Sequence, residues 1–492
     1  MSDELTTTQA TETTETTETY KKPKMGIWLL LVGAVIMLSG LLFGYDQGVI
    51  AGALQGIKHS FDADTAMIQI ITSWVTLGAL VGALVAGVMA DKLGRRVTIL
   101  LAAGLFTIGA LFEALAPNTT VLVMGRLIVG FGVGVASVAA PLYAAEQAPT
   151  RLRGRFVSIY QLAITIGIFI AYLVDQALIN NEMWRIMLGV SAVPAILLFF
   201  VMFPMPDSPR WFVKVGRRED AIRSLQKIRP DVDATAEIEK IEKATREDEA
   251  DKATWGEVFS KKLRKPLMIG VGLAVFQQIT GINAIIYYAN TIFAQAGFET
   301  PQDQAAATTW AIGAVNVLST LIAVAYVDRF GRRPLLLVGL VGMSVSLTTV
   351  GISFHFMDNA DTSGAGAGGP NGAGLVTLVA LVVFIASFAF SLGPVVWTVI
   401  NEIFPSRVRG RAVAIATAAN WGSAWLVSQF FLTLIGSIGN SATFYLFAFF
   451  SVVAYVWIWK RLPETKGRSL EEIQTIWEDA DPVQAQREAG TL

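Results

Sequence analysis

Asp46 and Arg126 are ionisable residues set inside long apolar runs, in Phe43-Gly-Tyr-Asp-Gln-Gly and Gly125-Arg-Leu-Ile-Val-Gly. An ionised carboxylate is expensive in an apolar medium unless it is paired or protonated. A guanidinium partner favours the anion, and breaking that pair in another conformation invites a proton. Asp46 and Arg126 are therefore a candidate proton-carrying pair, with a static structural ion pair as the plainer alternative. A second set, Gln277, Gln278, Asn283, Tyr287 and Tyr288, lies in the single run Gln277-Gln-Ile-Thr-Gly-Ile-Asn-Ala-Ile-Ile-Tyr-Tyr288, and helical spacing puts several on one face. Carboxamides donate and accept at once, as hydroxyls do, and an aromatic platform suits a ring. This chemistry fits an uncharged polyol, whereas a carboxylate ligand would want arginine. For any one amide alone, an interhelical bond that only holds packing is an equal account.

A third set occupies short basic loops. Asp91-Lys-Leu-Gly-Arg-Arg96 matches Asp328-Arg-Phe-Gly-Arg-Arg333, and Glu146-Gln-Ala-Pro-Thr-Arg-Leu-Arg-Gly-Arg155 matches Glu402-Ile-Phe-Pro-Ser-Arg-Val-Arg-Gly-Arg411 in spacing. Carboxylates beside arginines at helix ends pair bidentately and feel the helix dipole. Asp91, Arg95, Arg96, Glu146 and Arg153, with Asp328, Arg332, Arg333, Glu402 and Arg409, are expected to pair across helices as a latch when one gate is shut and to part when it opens. The alternative is that these charges only set topology, although Asp and Glu contribute little to orientation.

The elements that must position these residues follow from hydropathy. The chain has 492 residues, 53% hydrophobic and 16% charged, against about 25% charged in soluble domains. Apolar spans fall at roughly 27–50, 67–90, 97–115, 120–143, 157–177, 184–204, 267–295, 305–327, 334–356, 375–399, 409–435 and 441–460, each long enough for a helix to cross about 30 Å of hydrocarbon. The matched loops fall at equivalent spans, so the halves are parallel repeats about an axis along the membrane normal. The expected fold is an all-α membrane protein of twelve transmembrane helices in two six-helix bundles. Its parts are a disordered tail at 1–24, bundles at 25–206 and 266–461, a helical linker at 207–265, and a tail at 462–492. Twelve basic residues in the four matched loops, against Lys58 and Arg185 opposite, place those loops and both termini in the cytoplasm.

Composition also excludes. With no cysteine and only His59 and His355, disulfides and a Cys/His metal site are ruled out, and no cofactor is expected. A net charge of -1 offers no field for nucleic acid. No nucleophile-base set or phosphate loop argues for an enzyme.

Gly87-x-x-x-Asp91-x-x-Gly94-Arg95-Arg96, Pro206-Asp-Ser-Pro-Arg210 and Pro463-Glu-Thr-Lys-Gly467, with the Glu146 to Arg153 loop, resemble the signature set of the sugar porter family of the major facilitator superfamily. The likeness covers nearly the whole chain. Two departures stand out: Val324 occupies the second-half position of Gly87, and Asp207 stands where the family usually has Glu. The resemblance implies that the Gln277–Tyr288 segment lines a sugar site together with Gln161, Asn316, Trp397 and Asn420. It also implies proton coupling, since proton-coupled members carry Asp at position 46 and passive facilitators carry Asn. The expected activity is symport of a monosaccharide, hexose or pentose, with a proton by alternating access, in a lipid-embedded monomer. A passive facilitator, a cyclitol symporter and a non-transporting sugar receptor are the alternatives.

Overall fold

The computed structural model describes residues 26–149, 152–179, 183–250, 254–359, 372–466, 483 and 486. The expected tail at 1–24 lies outside the described residues, as does most of that at 462–492. In hydrocarbon every backbone N–H and C=O must find its partner within the segment, so the apolar runs become helices. The first half contains Ile27–Phe61, Thr65–Leu93, Arg95–Ala114, Thr119–Gln147, Arg153–Leu178, and a sixth span made of Trp184–Val190 and Ala192–Met202. Asp64 and Asn118 cap the second and fourth, each side chain accepting from the backbone N–H three residues on.

Four shorter helices follow, Pro209–Lys214, Arg218–Ile228, Ala234–Ala250 and Trp255–Val258. The second half then runs through Arg264–Ile279, Ile282–Tyr287 and Ala289–Gln295 (seventh span), and through Pro301–Ala307, a π-helical turn at Thr308–Ala314 and Val315–Phe330 (eighth). Arg332–Asn359 is the ninth span, and Gly372–Phe390 with Leu392–Glu402 the tenth. Ser406–Arg461 is 56 residues long but turns at Gly439, where φ is +82°, and so supplies both the eleventh and twelfth spans. Eleven described helical segments are long and apolar enough to cross a membrane, which with that turn gives the twelve spans of the two-bundle fold.

Small residues let the helices of a half approach. A Cβ on Gly130 would lie 2.8 Å from the Val75 carbonyl carbon, and one on Gly134 2.8 Å from Ala79 Cα, so these glycines of the fourth span serve close packing on the second.

The halves are joined on the face opposite the Asp91–Arg96 loop. Gln69 and Thr433 exchange hydrogen bonds of 3.0 and 3.1 Å, and Ser73 Oγ donates to Gln429 Oε1. Tyr172 Oη donates to the Ile286 carbonyl at 2.9 Å, while Thr309 Oγ1 donates to the Tyr172 carbonyl at 3.0 Å. Deeper in, the Phe43 and Trp421 rings meet across the halves at 5.5 Å. Further in, the Tyr287 hydroxyl of the second half meets the Gln47 amide of the first.

Candidate functional site

Arg126 is fully buried and Asp46 is 3% exposed. Nη1 of Arg126 donates to Asp46 Oδ1 at 2.7 Å, and Nε donates to the Ile71 carbonyl at 3.2 Å, so the first, second and fourth spans meet at one guanidinium. A second carboxylate reaches the same nitrogen: Glu113 Oε1 of the third span lies 3.6 Å from Arg126 Nη1. Sequence reasoning did not single out Glu113. Tyr287 comes from the other half, with its hydroxyl meeting the Gln47 amide beside Asp46 and Arg126.

Next to Tyr287 on the seventh span is a continuous amide network. Asn283 Nδ2 donates to Gln278 Oε1 at 2.8 Å, and Gln278 Nε2 donates to Asn420 Oδ1 at 3.2 Å. Asn420 Nδ2 donates to Gln277 Oε1 at 2.7 Å and to the Ala274 carbonyl at 3.1 Å, while Gln277 Nε2 donates to the Leu392 carbonyl at 2.7 Å. All four amides are at least nine-tenths buried. The network exists because the seventh span is broken. Gly281 has φ +95°, a left-handed conformation that costs glycine little, and the change of direction between Arg264–Ile279 and the short helix Ile282–Tyr287 turns Gln278 and Asn283 toward each other.

Among the described residues, no hydrogen bond ties Gln161, Asn316 or Trp397 into the amide set. Asn316 is buried just after the π-helical turn, whereas Gln161 and Trp397 are half-buried. Tyr288 points elsewhere. Its hydroxyl donates to the Ser428 carbonyl at 3.0 Å and its ring stacks on Phe431 at 5.1 Å.

On the basic face, Arg95 Nε is 2.9 Å from Glu146 Oε2, and its Nη1 is 3.3 Å from Asp91 Oδ1. In the second half, Arg332 Nη2 is 3.0 Å from Glu402 Oε1. These pairs link helices within one half. Arg96, Arg333 and Arg409 donate to the carbonyls of Phe203, Trp459 and Phe404. The side chains of Arg153 and Asp328 lie outside the described residues.

The two remaining motifs do the same job in each half. Asp207 Oδ1 and Oδ2 accept from the backbone N–H groups of Arg95 and Arg96 at 2.9 and 3.1 Å, and Glu464 Oε1 and Oε2 accept from those of Arg332 and Arg333 at 3.0 and 3.1 Å. Each carboxylate thus satisfies orphan donors at a helix start, where the dipole favours an anion. Gly94 and Gly331, with φ of +89° and +85°, precede those starts, and a Cβ at either would run into the capping carboxylate. Burial pushes the Asp207 carboxyl up from its ordinary value, against the pull of the Ser208, Arg95 and Arg96 backbone N–H groups.

Comparison with known proteins adds four findings. A protein-family profile described as "Sugar (and other) transporter" matches residues 32–477. The galactose-proton symporter of Escherichia coli is 40% identical over 438 residues, covering 89% of this chain and 92% of that one. The major myo-inositol transporter IolT of Bacillus subtilis is 36% identical over 478 residues, covering 95% and 98%. Among solved structures, the partially occluded inward open conformation of the xylose transporter XylE from E. coli superposes with a TM-score of 0.76 at 29% identity, covering 90% of this chain and 100% of that one.

Proposed function

The chain belongs to the sugar transporter family, and on that premise we propose that it carries a monosaccharide, hexose or pentose, together with a proton by alternating access. It is a multi-pass membrane protein, and positive-inside charge puts its basic loops and both termini in the cytoplasm. One observation carries the coupling. Tyr287 stands on the same short helix as Asn283 and also touches the surroundings of the Asp46–Arg126 pair. A ligand that reorganises the Gln277, Gln278, Asn283 and Asn420 amides therefore moves a group that borders the proton site.

The cycle follows from differential affinity. With the cytoplasmic face closed, Asp46 meets external water and takes a proton, and its bond to Arg126 breaks. Sugar hydroxyls replace the internal amide bonds of the network, with Gln161, Asn316 and Trp397 completing the cavity as the halves close around the ring, while Tyr288 enters it only if its bond to Ser428 is released. The halves then rock. The arrangement described above, with side-chain bonds joining the halves on the outer face, is read as the inward-facing member of the cycle, in which Asp46 has given up its proton to the cytoplasm and regained Arg126. Arg95–Glu146 and Arg332–Glu402 are already formed within each half in this arrangement, so a latch on the cytoplasmic face falls to the arginines and acids around them, pairing across the halves when they meet there.

An uncharged ring is all that amides specify, so the cyclitol alternative rests on the inositol transporter among the relatives. One experiment addresses substrate and coupling together: uptake of a labelled panel of hexoses, pentoses and inositols into proteoliposomes under an imposed pH gradient. Accumulation of a monosaccharide that collapses on adding a protonophore is expected. Flux that equilibrates without accumulating would make the protein a passive facilitator.

A further inference from the structure

The coupling scheme leaves two buried carboxylates of the first half unused, Asp175 and Glu113, and of these Glu113 stands beside Arg126. Glu113 is 1% exposed, and its Oε1 stands 3.6 Å from the same Arg126 nitrogen that holds Asp46. The third and fourth spans are packed to admit it: a Cβ on Gly125 would lie 2.7 Å from Glu113 Cγ, and one on Gly109 would lie 3.0 Å from the Gly125 carbonyl oxygen. Glu113 Oε1 and Arg126 Nη2 are both buried and both lack a hydrogen-bond partner. A small swing of the guanidinium satisfies the two at once.

We propose that Glu113 is the alternate counter-ion of Arg126, which receives the guanidinium when Asp46 is protonated and returns it when Asp46 releases the proton. This rests on the Asp46–Arg126 reading above. Charge counting shows what the handover achieves. Protonating Asp46 without Glu113 strands a fully buried cation, whereas with Glu113 the loaded site holds one carboxylic acid, one carboxylate and one guanidinium and is neutral. The proton comes from external water onto the Asp46 carboxylate and leaves to cytoplasmic water. The only contact exchanged within the protein is the Arg126 hydrogen bond. Arg126 and Asp46 are the charges whose fields reach Glu113, and Tyr287 faces both of them from the second half. Arg185 of the sixth span does not compete for Glu113, since it covers the Trp184 ring at 4.1 Å and donates to the Ala116 carbonyl at 3.0 Å.

The test is the pH profile of gradient-driven sugar uptake in proteoliposomes, alongside sugar counterflow. Glu113→Gln keeps shape and hydrogen bonding but removes both the alternate partner and a like charge beside Asp46. Loading then needs more protons, and the pH of half-maximal uptake is expected to fall by about one unit, a tenfold change in proton concentration, while counterflow persists. Glu113→Asp, which keeps the charge on a shorter stem, should move the midpoint the same way by less. A purely structural role would lower the amount of folded protein and leave the midpoint where it was. An unchanged midpoint in either folded variant overturns the handover, and Glu113→Asp alone decides if Glu113→Gln does not fold. Asp46→Asn run in parallel separates the two ideas. Loss of accumulation in Asp46→Asn with wild-type profiles in the Glu113 variants rejects the handover alone. Gradient-driven accumulation surviving Asp46→Asn rejects the coupling reading beneath it.

Discussion

Asp46→Asn preserves shape and one acceptor oxygen at 2.7 Å from Arg126 but cannot take up a proton. The expected outcome is loss of uphill accumulation with sugar exchange retained, measured as gradient-driven uptake against counterflow. At the sugar site, Gln278 is bonded on both sides, to Asn283 and Asn420. Truncating it removes a hydroxyl partner and orphans two buried amides. Gln278→Ala and Asn283→Ala should each weaken substrate binding by about 1–2 kcal/mol, roughly tenfold, readable by calorimetry on purified protein. Unchanged affinity in both would take the sugar away from this network. The amides and Asp46 were legible because polar side chains inside apolar runs stand out. Glu113 and Asp175 were not, since each lies near the end of its apolar run, where an acid reads as facing the membrane surface. What buries them is azimuthal: Gly125 vacates the space for Glu113, and Gly52, whose N–H donates to Asp175 Oδ2 at 3.0 Å, does so for Asp175. Such facing pairs are set by tertiary packing, which spacing along one strand of sequence does not report.

At the scale of elements, the twelve spans could be read from hydropathy and the two-fold repeat from the matched loops. The breaks were legible only in part. The seventh span is three pieces: a glycine inside a span marks Gly281 as a place where the helix can break, whereas nothing in the sequence marks the second interruption at Tyr288. The eighth contains a π-helical turn where Gly313 admits the Tyr172 ring, a placement typical of functional sites. The short motifs around Asp207 and Glu464 were recognisable as signatures, but their partners lie more than a hundred residues away, at Arg95 and Arg332. Asp207 stands where Glu is usual and still makes the same pair of bonds as Glu464, so the shorter stem is absorbed by the local backbone. Asp207→Ala strands two N–H donors at the start of the third span, and Glu464→Ala does so at the ninth. Each should cost about 1–3 kcal/mol and lower the melting temperature in detergent by several degrees, with little effect on sugar affinity. Equal melting behaviour to the wild type would show that water takes over the capping.

For the whole molecule, the question is what holds the halves together on the outer face. The polar part of the seal is thin, with two bonds between Gln69 and Thr433, one from Ser73, and two around Tyr172, set beside a buried apolar cluster shared by both halves. A seal of a few neutral hydrogen bonds suits a transporter, because each contributes only about 0.5–1.5 kcal/mol net and water can replace it when the face opens. Tyr172→Phe keeps the ring that packs against Gly313 and deletes only the hydroxyl that donates to the Ile286 carbonyl. Losing about 1 kcal/mol from one of two states shifts their ratio roughly fivefold. The chain has no cysteine, so spin labels can be placed without background at Lys58→Cys and Glu299→Cys, exposed positions on the sealed face in opposite halves. Pulsed electron-spin measurements should show a distance distribution that gains a longer component in Tyr172→Phe, and an external acid and sugar dependence of that component that Asp46→Asn abolishes. If the distribution stays single and short in Tyr172→Phe, the hydroxyl is not part of the seal, and the balance between the two faces must be set by the apolar packing of the halves instead.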